Sequence, residues 1–333
     1  MTTRLIQLQQ GNIRKVGLIE EPRIRLLAEY ATIYDLAMAA LDAGEKLTAL
    51  VARSVTDETL DYDAVYAGGT GWRILPAIDH PEEPARCLVT GTGLTHTASA
   101  KNRDAMHAKS DNLTDSMKVF QWGIEGGRPE EGRIGVAPEW FYKGNGAILR
   151  AHGEPLLVPA YAEDGGEEPE VAGIYLIGRD AKPYRIGFAV GNEFSDHQFE
   201  KRNYLYLAGS KLRNCSIGPE LAIDHEFQSV PGSVSVERDG QSLWSHEIRT
   251  GDAEMCHSLR NIEHHHFKFE GHRLPGDLHV HFFGADAFSF GAGVRLNDGD
   301  VMSVRFEDFG RALRNPVKVD AAADAVVAVT PLS

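Results

Sequence analysis

Two glutamates separated by one residue begin a stretch that could hold a metal ion. Glu168 and Glu170 open the segment EPEVAGIYLIG, whose β-branched and apolar residues predict a strand. Side chains two residues apart on a strand point to the same face, with Cα atoms roughly 6.5 Å apart. Both carboxylates can therefore give oxygens to one ion, and such ligands suit Mg²⁺ or Ca²⁺. A solvated acidic edge is the alternative for an isolated pair of this kind.

A third carboxylate and a lysine follow this strand. A second apolar strand is predicted from Tyr184 to Val190, and it runs into Gly191-Asn192-Glu193, so that Glu193 can deliver a third ligand from a strand end. Lys211 follows in Gly209-Ser210-Lys211. A nearby cation and burial both weaken the affinity of a lysine for its proton, so Lys211 could serve as a base near neutral pH. The alternative is a surface lysine.

Further polar residues could meet an anionic substrate. His96, Ser99 and Arg103 crowd the start of a polar segment, Thr97 to Gly126, that has helical spacing and places them near one face. The segment predicts either a mobile cover with cations for a carboxylate or a solvated amphipathic helix. Lys143 precedes a short glycine-containing loop and could reach an anionic ligand, or it could lie at the surface.

The many histidines of the C-terminal half are interpreted as structural. His264, His265 and His266 are adjacent in sequence, so their side chains do not converge on one ion. His279 and His281 alternate on a probable strand and could share one face. The pattern therefore does not predict a zinc site.

The ordered set of motifs over roughly residues 85 to 320 resembles the fumarylacetoacetate hydrolase superfamily. The segments similar to that family's motifs are Pro138-Glu139-Trp140-Phe141-Tyr142-Lys143, Glu168-Pro169-Glu170-Val171-Ala172, Asn192-Glu193-Phe194-Ser195, Leu274-Pro275-Gly276-Asp277-Leu278 with Gly284, Asn297-Asp298-Gly299-Asp300-Val301 and Arg314-Asn315-Pro316-Val317. The resemblance implies an α+β fold, with a β-rich catalytic domain of mixed, rolled sheets at residues 86–333 and a small N-terminal α/β domain at residues 1–85. It also implies a homodimer.

Several positions depart from the family pattern and favour one branch of it. Glu193 stands where the third ligand is usually Asp, and Ala285 stands at the usual threonine. Ser99 occupies the usual histidine position, and His197 or a neighbour replaces an expected arginine. The Glu-Pro-Glu, Ser-Lys and Ile-Gly-Pro pieces look most like the branch that dehydrates 2-keto-3-deoxy sugar acids.

The resemblance implies a Mg²⁺-dependent hydro-lyase of sugar-acid catabolism, converting a 2-keto-3-deoxy acid such as 2-keto-3-deoxy-arabinonate to 2,5-dioxopentanoate in arabinose metabolism. Glu168, Glu170 and Glu193 would hold Mg²⁺, with Mn²⁺ or Ca²⁺ as alternatives. Lys211 would remove a C3 proton, and His96 would assist loss of the C4 hydroxyl. The residues expected to contact substrate are Lys143, Ser99, Arg103 and Ser210.

Two other functions stay open at this point. One is a hydrolase that cleaves a C–C bond in a 2,4-diketo acid, either an acylpyruvate or a 2,4-diketo-3-deoxy sugar acid. The other is a sugar-acid-binding protein without catalytic activity on the same scaffold.

Composition excludes some classes of partner. The 333 residues carry a net charge of −14, which argues against nucleic acid and anionic membranes. Three cysteines far apart in sequence fit a reducing cytosol. The first residues lack the apolar core of a signal peptide, and no apolar run approaches the roughly 18 residues of a membrane span. A cytoplasmic protein acting on a small molecule is therefore expected.

Overall fold

A computed structural model describes residues 2–97 and 114–332. Strands dominate it and are flanked by short helices. The strands are β1 Arg4–Gln10, β2 Ile13–Glu20, β3 Arg23–Leu27, β4 Val55–Asp61, β5 Arg73–Ile74, β6 Cys87–Gly91, β7 Phe141–Asn145, β8 Leu149–Arg150, β9 Leu156–Val158, β10 Pro169–Ile177, β11 Pro183–Asn192, β12 Cys215–Ala222, β13 Val230–Arg238, β14 Gln241–Thr250, β15 Leu278–Phe282, β16 Val301–Phe306 and β17 Leu313–Val319. The helices are α1 Ile33–Ala43, α2 Leu47–Ser54, α3 Tyr62–Tyr66, α4 Asp115–Gly126, α5 His197–Arg202, α6 Leu207–Lys211 and α7 Leu259–Phe267.

The strands form two sheets. The larger has the order β4-β3-β2-β1-β12-β11-β10-β15-β6-β7, with β5 beside β1 and β8 beside β12. The smaller has the order β14-β13-β16-β17-β9. Parallel pairs such as β15–β6 occur beside antiparallel ones such as β10–β11. The predicted α+β fold with mixed sheets is therefore confirmed.

The large sheet runs through both predicted domains. Strand β1 pairs antiparallel with β12, with Arg4 opposite Ala222 and Leu5 opposite Leu221. The N-terminal meander β1 to β4 therefore extends the sheet that contains β10 and β11. The division into domains at residues 85 and 86 stays a prediction.

Strand β10 lies between the two main cores, which explains the uninterrupted apolar run from Val171 to Ile177. Ala172, Ile174 and Leu176 pack in the core with helices α1 and α2. Val171 and Tyr175 pack in the second core, with residues of β13, β16 and α7. Because side chains alternate along a strand, a strand covered on both faces needs apolar residues at every position.

The sequence predicts a helix start at Thr32 and a hairpin turn at Asp239-Gly240, and the structure contains both. Thr32 caps α1, since its hydroxyl accepts a hydrogen bond from the Asp35 amide at 3.0 Å. Asp239 and Gly240 form the turn between β13 and β14 with φ values of 52° and 75°. Positive φ at both central residues is what a tight two-residue hairpin turn requires. No helix in the described part of the chain is long and apolar enough to cross a membrane.

Four histidines from α7, the following turn and β15 form a cluster, in which His266, His279 and His281 are buried and His272 is half-buried. The His266 ring centroid lies 4.6 Å from that of His281, 4.7 Å from that of His272 and 5.0 Å from that of His279. His279 and His281 thus share one face of β15, as predicted. Within residues 2–97 and 114–332, these histidines do not form a group close enough to share a metal ion.

We expect His279 to make the protein sensitive to acid. Burial, aided by the nearby His272, lowers the pKa of His279 to about 3. The unfolded chain, with an imidazole pKa of about 6.5, therefore takes up the proton first. Stability that is present above pH 6.5 is lost as the pH falls toward the folded pKa.

The variant His279→Asn tests this expectation, because it keeps a polar atom near the Nδ1 position and removes the titrating ring. Urea unfolding would be measured between pH 7 and 4.5, and at pH 7 the wild type should be more stable than the variant. Below pH 6.5, the difference in free energy of unfolding between the wild type and the variant should narrow by about 1.4 kcal/mol for each pH unit that the pH falls. Parallel pH profiles of the two proteins would contradict the prediction.

Candidate metal and active site

Three buried carboxylates meet where the start of β10 lies beside the end of β11. In the antiparallel ladder Pro169 pairs with Asn192, and the Glu193 amide donates to the Glu168 carbonyl at 3.0 Å. Glu168, Glu170 and Glu193 each offer an oxygen, and these atoms lie within 4.8 Å of one another. The hairpin therefore brings together the three carboxylates that the sequence analysis singled out.

The chemistry of this donor set fits a hard divalent cation. All three donors are carboxylate oxygens, which Mg²⁺ and Ca²⁺ prefer and which soft metals do not. Glu170 and Glu193 are 1% and 0% exposed, so their charges are costly to bury without cationic partners. Among the described residues, no other group of His, Cys, Asp or Glu could share an ion in this way.

Two buried lysines lie against the carboxylates. The Lys211 ammonium lies 2.6 Å from Glu168 Oε1 and 2.6 Å from Glu193 Oε2. The Lys143 ammonium lies 2.5 Å from Glu193 Oε1 and donates at 2.9 Å to the carbonyls of Phe194 and Lys211. Lys143 is thus surrounded by internal acceptors. This geometry suits a residue that holds Glu193 better than the predicted contact with substrate.

Burial and neighbouring charges shift the pKa values of Glu168 and Glu170 in opposite directions. Burial opposes ionisation of Glu168, but the Lys211 ammonium and His197 outweigh it and hold the pKa of Glu168 well below its usual range. Burial, together with the charges of Glu193 and Glu168, raises the pKa of Glu170 well above its usual range. Glu170 is therefore the carboxyl that most needs a further cation in order to ionise.

Lys211 is held in its charged form by the same carboxylates. Burial alone would lower the pKa of its ammonium, as the sequence analysis expected, yet Glu168 and Glu193 outweigh burial and raise that pKa. In the protein without a cation, the pKa of Lys211 is therefore raised, and the lowering expected beside a cation stays a prediction. A cation held by the same carboxylates would act in the opposite direction on Lys211.

Two further donors complete the site. His197 Nε2 lies 3.0 Å from Glu168 Oε1, and the Ser195 hydroxyl donates to Glu193 Oε2 at 2.9 Å. The His197 ring stacks on Phe288 at 4.8 Å between centroids. From sequence alone, His197 stands out only as a departure from a family pattern. The signal that could have found it was its position four residues after a predicted ligand, at the start of a helix.

A small cavity opens onto these groups. It measures about 20 Å³ and is lined by Gly93, Leu94, Glu168, Lys211, Gly284, Ala285 and Phe288. The Gly284 amide donates to Glu170 Oε2 at 2.7 Å. A cavity of this size holds about one water molecule. A sugar acid can therefore bind only if surrounding groups move.

Another buried carboxylate packs on a residue of the cavity wall, although it is not itself among the described residues that line the cavity. Glu139 is 6% exposed, and its Oε1 packs so closely on Gly93 that a Cβ at that glycine would lie 1.9 Å from it. Gly93 lines the cavity. The sequence analysis quoted Glu139 only as part of a motif, because nothing local in the sequence indicates that β7 and the segment after β6 bring it there.

The remaining predicted site residues have other surroundings. His96 is buried beside the hydroxyls of Thr95 and Thr250, at 2.8 and 3.1 Å, and burial lowers its pKa to about 4. The Ser210 hydroxyl donates to the Leu207 carbonyl at 2.7 Å. Neither residue is among the described residues that line the cavity. Ser99 and Arg103 lie outside the described residues.

One curated relative shares part of its sequence with this chain. The chain is 28% identical over 181 residues to a probable 2-keto-3-deoxyxylonate dehydratase of Haloferax volcanii. The match covers 52% of this chain and 58% of that protein. No protein-family model matches the chain.

Solved structures are similar over nearly the whole chain. A 2-keto-3-deoxy-D-arabinonate dehydratase in its apo form has a TM-score of 0.70 at 21% identity, covering 96% of this chain and all of that one. A 2-keto-3-deoxy-D-arabinonate dehydratase complexed with magnesium and 2,5-dioxopentanoate also has a TM-score of 0.70, at 20% identity, over 95% of this chain and 99% of that one.

A solved structure with a different named activity is also similar to this chain, at a lower TM-score. A 5-carboxymethyl-2-hydroxymuconate delta-isomerase from Mycobacterium smegmatis has a TM-score of 0.57 at 16% identity, over 95% of this chain and 100% of that one. Together with the carboxylate hairpin, these likenesses confirm the predicted resemblance: the chain has the fold of the fumarylacetoacetate hydrolase superfamily and resembles its sugar-acid dehydratase branch.

Proposed function

We propose that this protein is a magnesium-dependent hydro-lyase that dehydrates a 2-keto-3-deoxy sugar acid, taking 2-keto-3-deoxy-arabinonate to 2,5-dioxopentanoate. The observation that carries the proposal is the buried cluster of Glu168, Glu170 and Glu193 in contact with the Lys211 ammonium. Further support comes from the relatives named as dehydratases of 2-keto-3-deoxy acids, one of them complexed with magnesium and 2,5-dioxopentanoate.

Glu168, Glu170 and Glu193 are the proposed ligands, with Mn²⁺ or Ca²⁺ as possible replacements for Mg²⁺. Bound there, the ion would supply Lewis acidity toward the 2-keto group and so acidify the neighbouring C3 hydrogens. The protein would supply a dry, preorganised site. Lys143 would keep Glu193 in place through its contact with Oε1 at 2.5 Å.

Lys211 is the proposed proton-transfer residue. Its ammonium both touches two of the ligand carboxylates and lines the cavity. A proton would pass from C3 of the substrate to the Lys211 amine, and the C4 hydroxyl would leave as water after receiving a proton. The product is an aldehyde at C5 with a CH₂ group at C3. Lys211 would therefore return to C3 the proton that it removed. The proton lost from the C5 carbon would restore the group that protonated the departing hydroxyl. The C5 hydroxyl proton would pass to C4, which becomes a second CH₂ group as the enol turns into the aldehyde.

Glu139 is the proton donor that the geometry favours for the departing hydroxyl. Its carboxyl packs against Gly93 on the wall of the cavity, whereas His96 lies beside threonine hydroxyls. A positioned donor contributes typically about 10²–10⁴-fold to such a step. His96 stays the alternative that the sequence suggested. Ser99 and Arg103 remain proposed substrate contacts, and Ser210 is proposed to position Lys211 through its place in α6.

Product analysis tests this function. With Mg²⁺ and 2-keto-3-deoxy-arabinonate, the protein should form 2,5-dioxopentanoate without pyruvate, as measured by NMR, and chelation with EDTA should stop the reaction. The principal alternative is hydrolysis of a C–C bond in a 2,4-diketo acid. Release of pyruvate from an acylpyruvate, together with inertness on every 2-keto-3-deoxy acid offered, would replace the dehydratase by that hydrolase. Metal binding without turnover of either substrate class would favour a sugar-acid-binding protein.

The assembly and location belong to the same proposal. A homodimer is proposed from the family resemblance, and a cytoplasmic location from the scattered cysteines and the acidic charge. Sedimentation of the purified chain would test the first of these.

A further inference from the structure

We propose that His197 and Ser195 hold Glu168 and Glu193 in ligand geometry independently of Lys211, so that Lys211 can release both carboxylates without disturbing the metal site. The inference rests on the proposed function in one respect, namely that Glu168 and Glu193 bind a metal ion. The inference assigns roles to His197 and Ser195, which have no part in the proposed reaction.

The first carboxylate oxygen has two donors. Glu168 Oε1 accepts from Lys211 Nζ at 2.6 Å and lies 3.0 Å from His197 Nε2. The His197 ring is fixed by Phe288 on one side and by Phe290, whose centroid lies 5.0 Å away. The ring also lies so close to Gly166 that a Cβ there would be 2.3 Å from Nδ1. His197 is therefore held in place by packing that does not involve Lys211.

The second carboxylate oxygen repeats this arrangement. Glu193 Oε2 accepts from Lys211 Nζ at 2.6 Å and from the Ser195 hydroxyl at 2.9 Å. The Ser195 hydroxyl also accepts from Lys211 Nζ at 2.9 Å. The backbone of Ser195 is nevertheless fixed without Lys211, since its amide donates to the Gly166 carbonyl at 3.0 Å and its own carbonyl accepts from the Gly166 amide at 2.9 Å. Gly166 thus supports both donors.

This duplication has an energetic consequence. A buried carboxylate oxygen that loses its donor carries the full cost of its lost hydration, or it swings away to find another partner. Here neither oxygen is left alone when the ammonium departs, because an imidazole and a hydroxyl remain. Groups that orient metal ligands in this way commonly change metal affinity by about 10–100-fold when they are removed.

A double-mutant cycle in metal affinity tests the inference without requiring turnover. Magnesium binding to metal-stripped protein would be measured by calorimetry for the wild type, Lys211→Met, His197→Asn and the double variant, and manganese spectra would report the ligand geometry. Lys211→Met should bind Mg²⁺ at least as tightly as the wild type, because a competing ammonium is gone and His197 still holds Glu168. Lys211→Met combined with His197→Asn should bind about 10–100-fold more weakly than Lys211→Met alone. His197→Gln should restore affinity, since its amide nitrogen can reach the Nε2 position whereas that of Asn cannot.

The outcomes separate this inference from the proposed function. Failure of the wild type to bind Mg²⁺ would remove the proposed function. Binding by the wild type, with equal affinity in Lys211→Met and in the His197→Asn double variant, would overturn the inference and leave the function standing. Thermal unfolding in EDTA checks that each variant folds. If His197→Asn does not fold, Ser195→Ala in the Lys211→Met background decides the question through Glu193, with the same expected loss.

Discussion

Replacing Lys211 by methionine should abolish exchange of the substrate's C3 hydrogens with deuterated water while Mg²⁺ remains bound. Methionine keeps much of the length of the lysine side chain and removes the amine that the reaction needs. The Lys211 ammonium lies on the cavity wall and touches Glu168 and Glu193, so it is the described amine placed to reach a substrate bound at those carboxylates. Loss of a positioned acid–base group lowers rates by about 10²–10⁴-fold. Proton NMR of 2-keto-3-deoxy-arabinonate in deuterated water measures the exchange directly.

Lys143→Met is the matched control for the loss of charge. Lys143 also pairs with Glu193, at 2.5 Å, but its ammonium is taken up by the carbonyls of Phe194 and Lys211. It is 1% exposed and is not among the described residues that line the cavity. Lys143→Met should therefore lower stability and, because it disturbs only the position of Glu193, should reduce C3 exchange less than Lys211→Met does. Undiminished exchange in Lys211→Met would assign the proton transfer to another group.

Local sequence patterns predicted the part of the site that depends on one hairpin. The apolar runs of β10 and β11 could be read from the sequence, and an antiparallel pair places the start of one strand beside the end of the other. Glu168 and Glu193 must then meet, and their backbones join at 3.0 Å. The turn at Asp239-Gly240 could be predicted equally well, because residue type at two positions fixes its geometry.

The surroundings of that hairpin could not be predicted in the same way. Lys143 reaches Glu193 from 50 positions earlier in the chain, on the edge strand β7, and no local pattern shows which way its side chain turns. His197 and Ser210 lie on short helices whose packing depends on the completed fold. Their partners are a ligand carboxylate for His197 and a helix carbonyl for Ser210. Motif resemblance marked both segments as part of the site without distinguishing these roles.

Removing the charge of one of the three carboxylates should weaken Mg²⁺ binding, whereas removing the charge of the neighbouring Glu167 should not. Glu170→Gln should weaken Mg²⁺ binding by more than about 100-fold, because losing a ligand charge exceeds the 10–100-fold effect of losing a group that orients a ligand. Glu167→Gln is the matched control. Glu167 is equally buried, but its carboxylate accepts from the Ser289 amide and hydroxyl at 2.6 and 2.8 Å and is not part of the three-carboxylate group. That variant should keep its Mg²⁺ affinity.

Glu170→Gln should also stabilise the metal-free protein, with a definite pH dependence. Burial and the charges of Glu193 and Glu168 raise the pKa of Glu170 in the fold, whereas the unfolded chain ionises near about 4.3. The contribution of Glu170 to stability is fully present below that pH and is lost as the pH rises toward the folded pKa. The metal-free wild type should therefore lose stability relative to Glu170→Gln as the pH rises above about 4.3, and urea unfolding in EDTA measures the difference. Saturating Mg²⁺ should reverse the order, because only the wild type gains the ion's binding energy. A Glu170→Gln variant that is less stable than the wild type at every pH in EDTA would show that Glu170 is an ordinary paired carboxylate and not a site awaiting a cation.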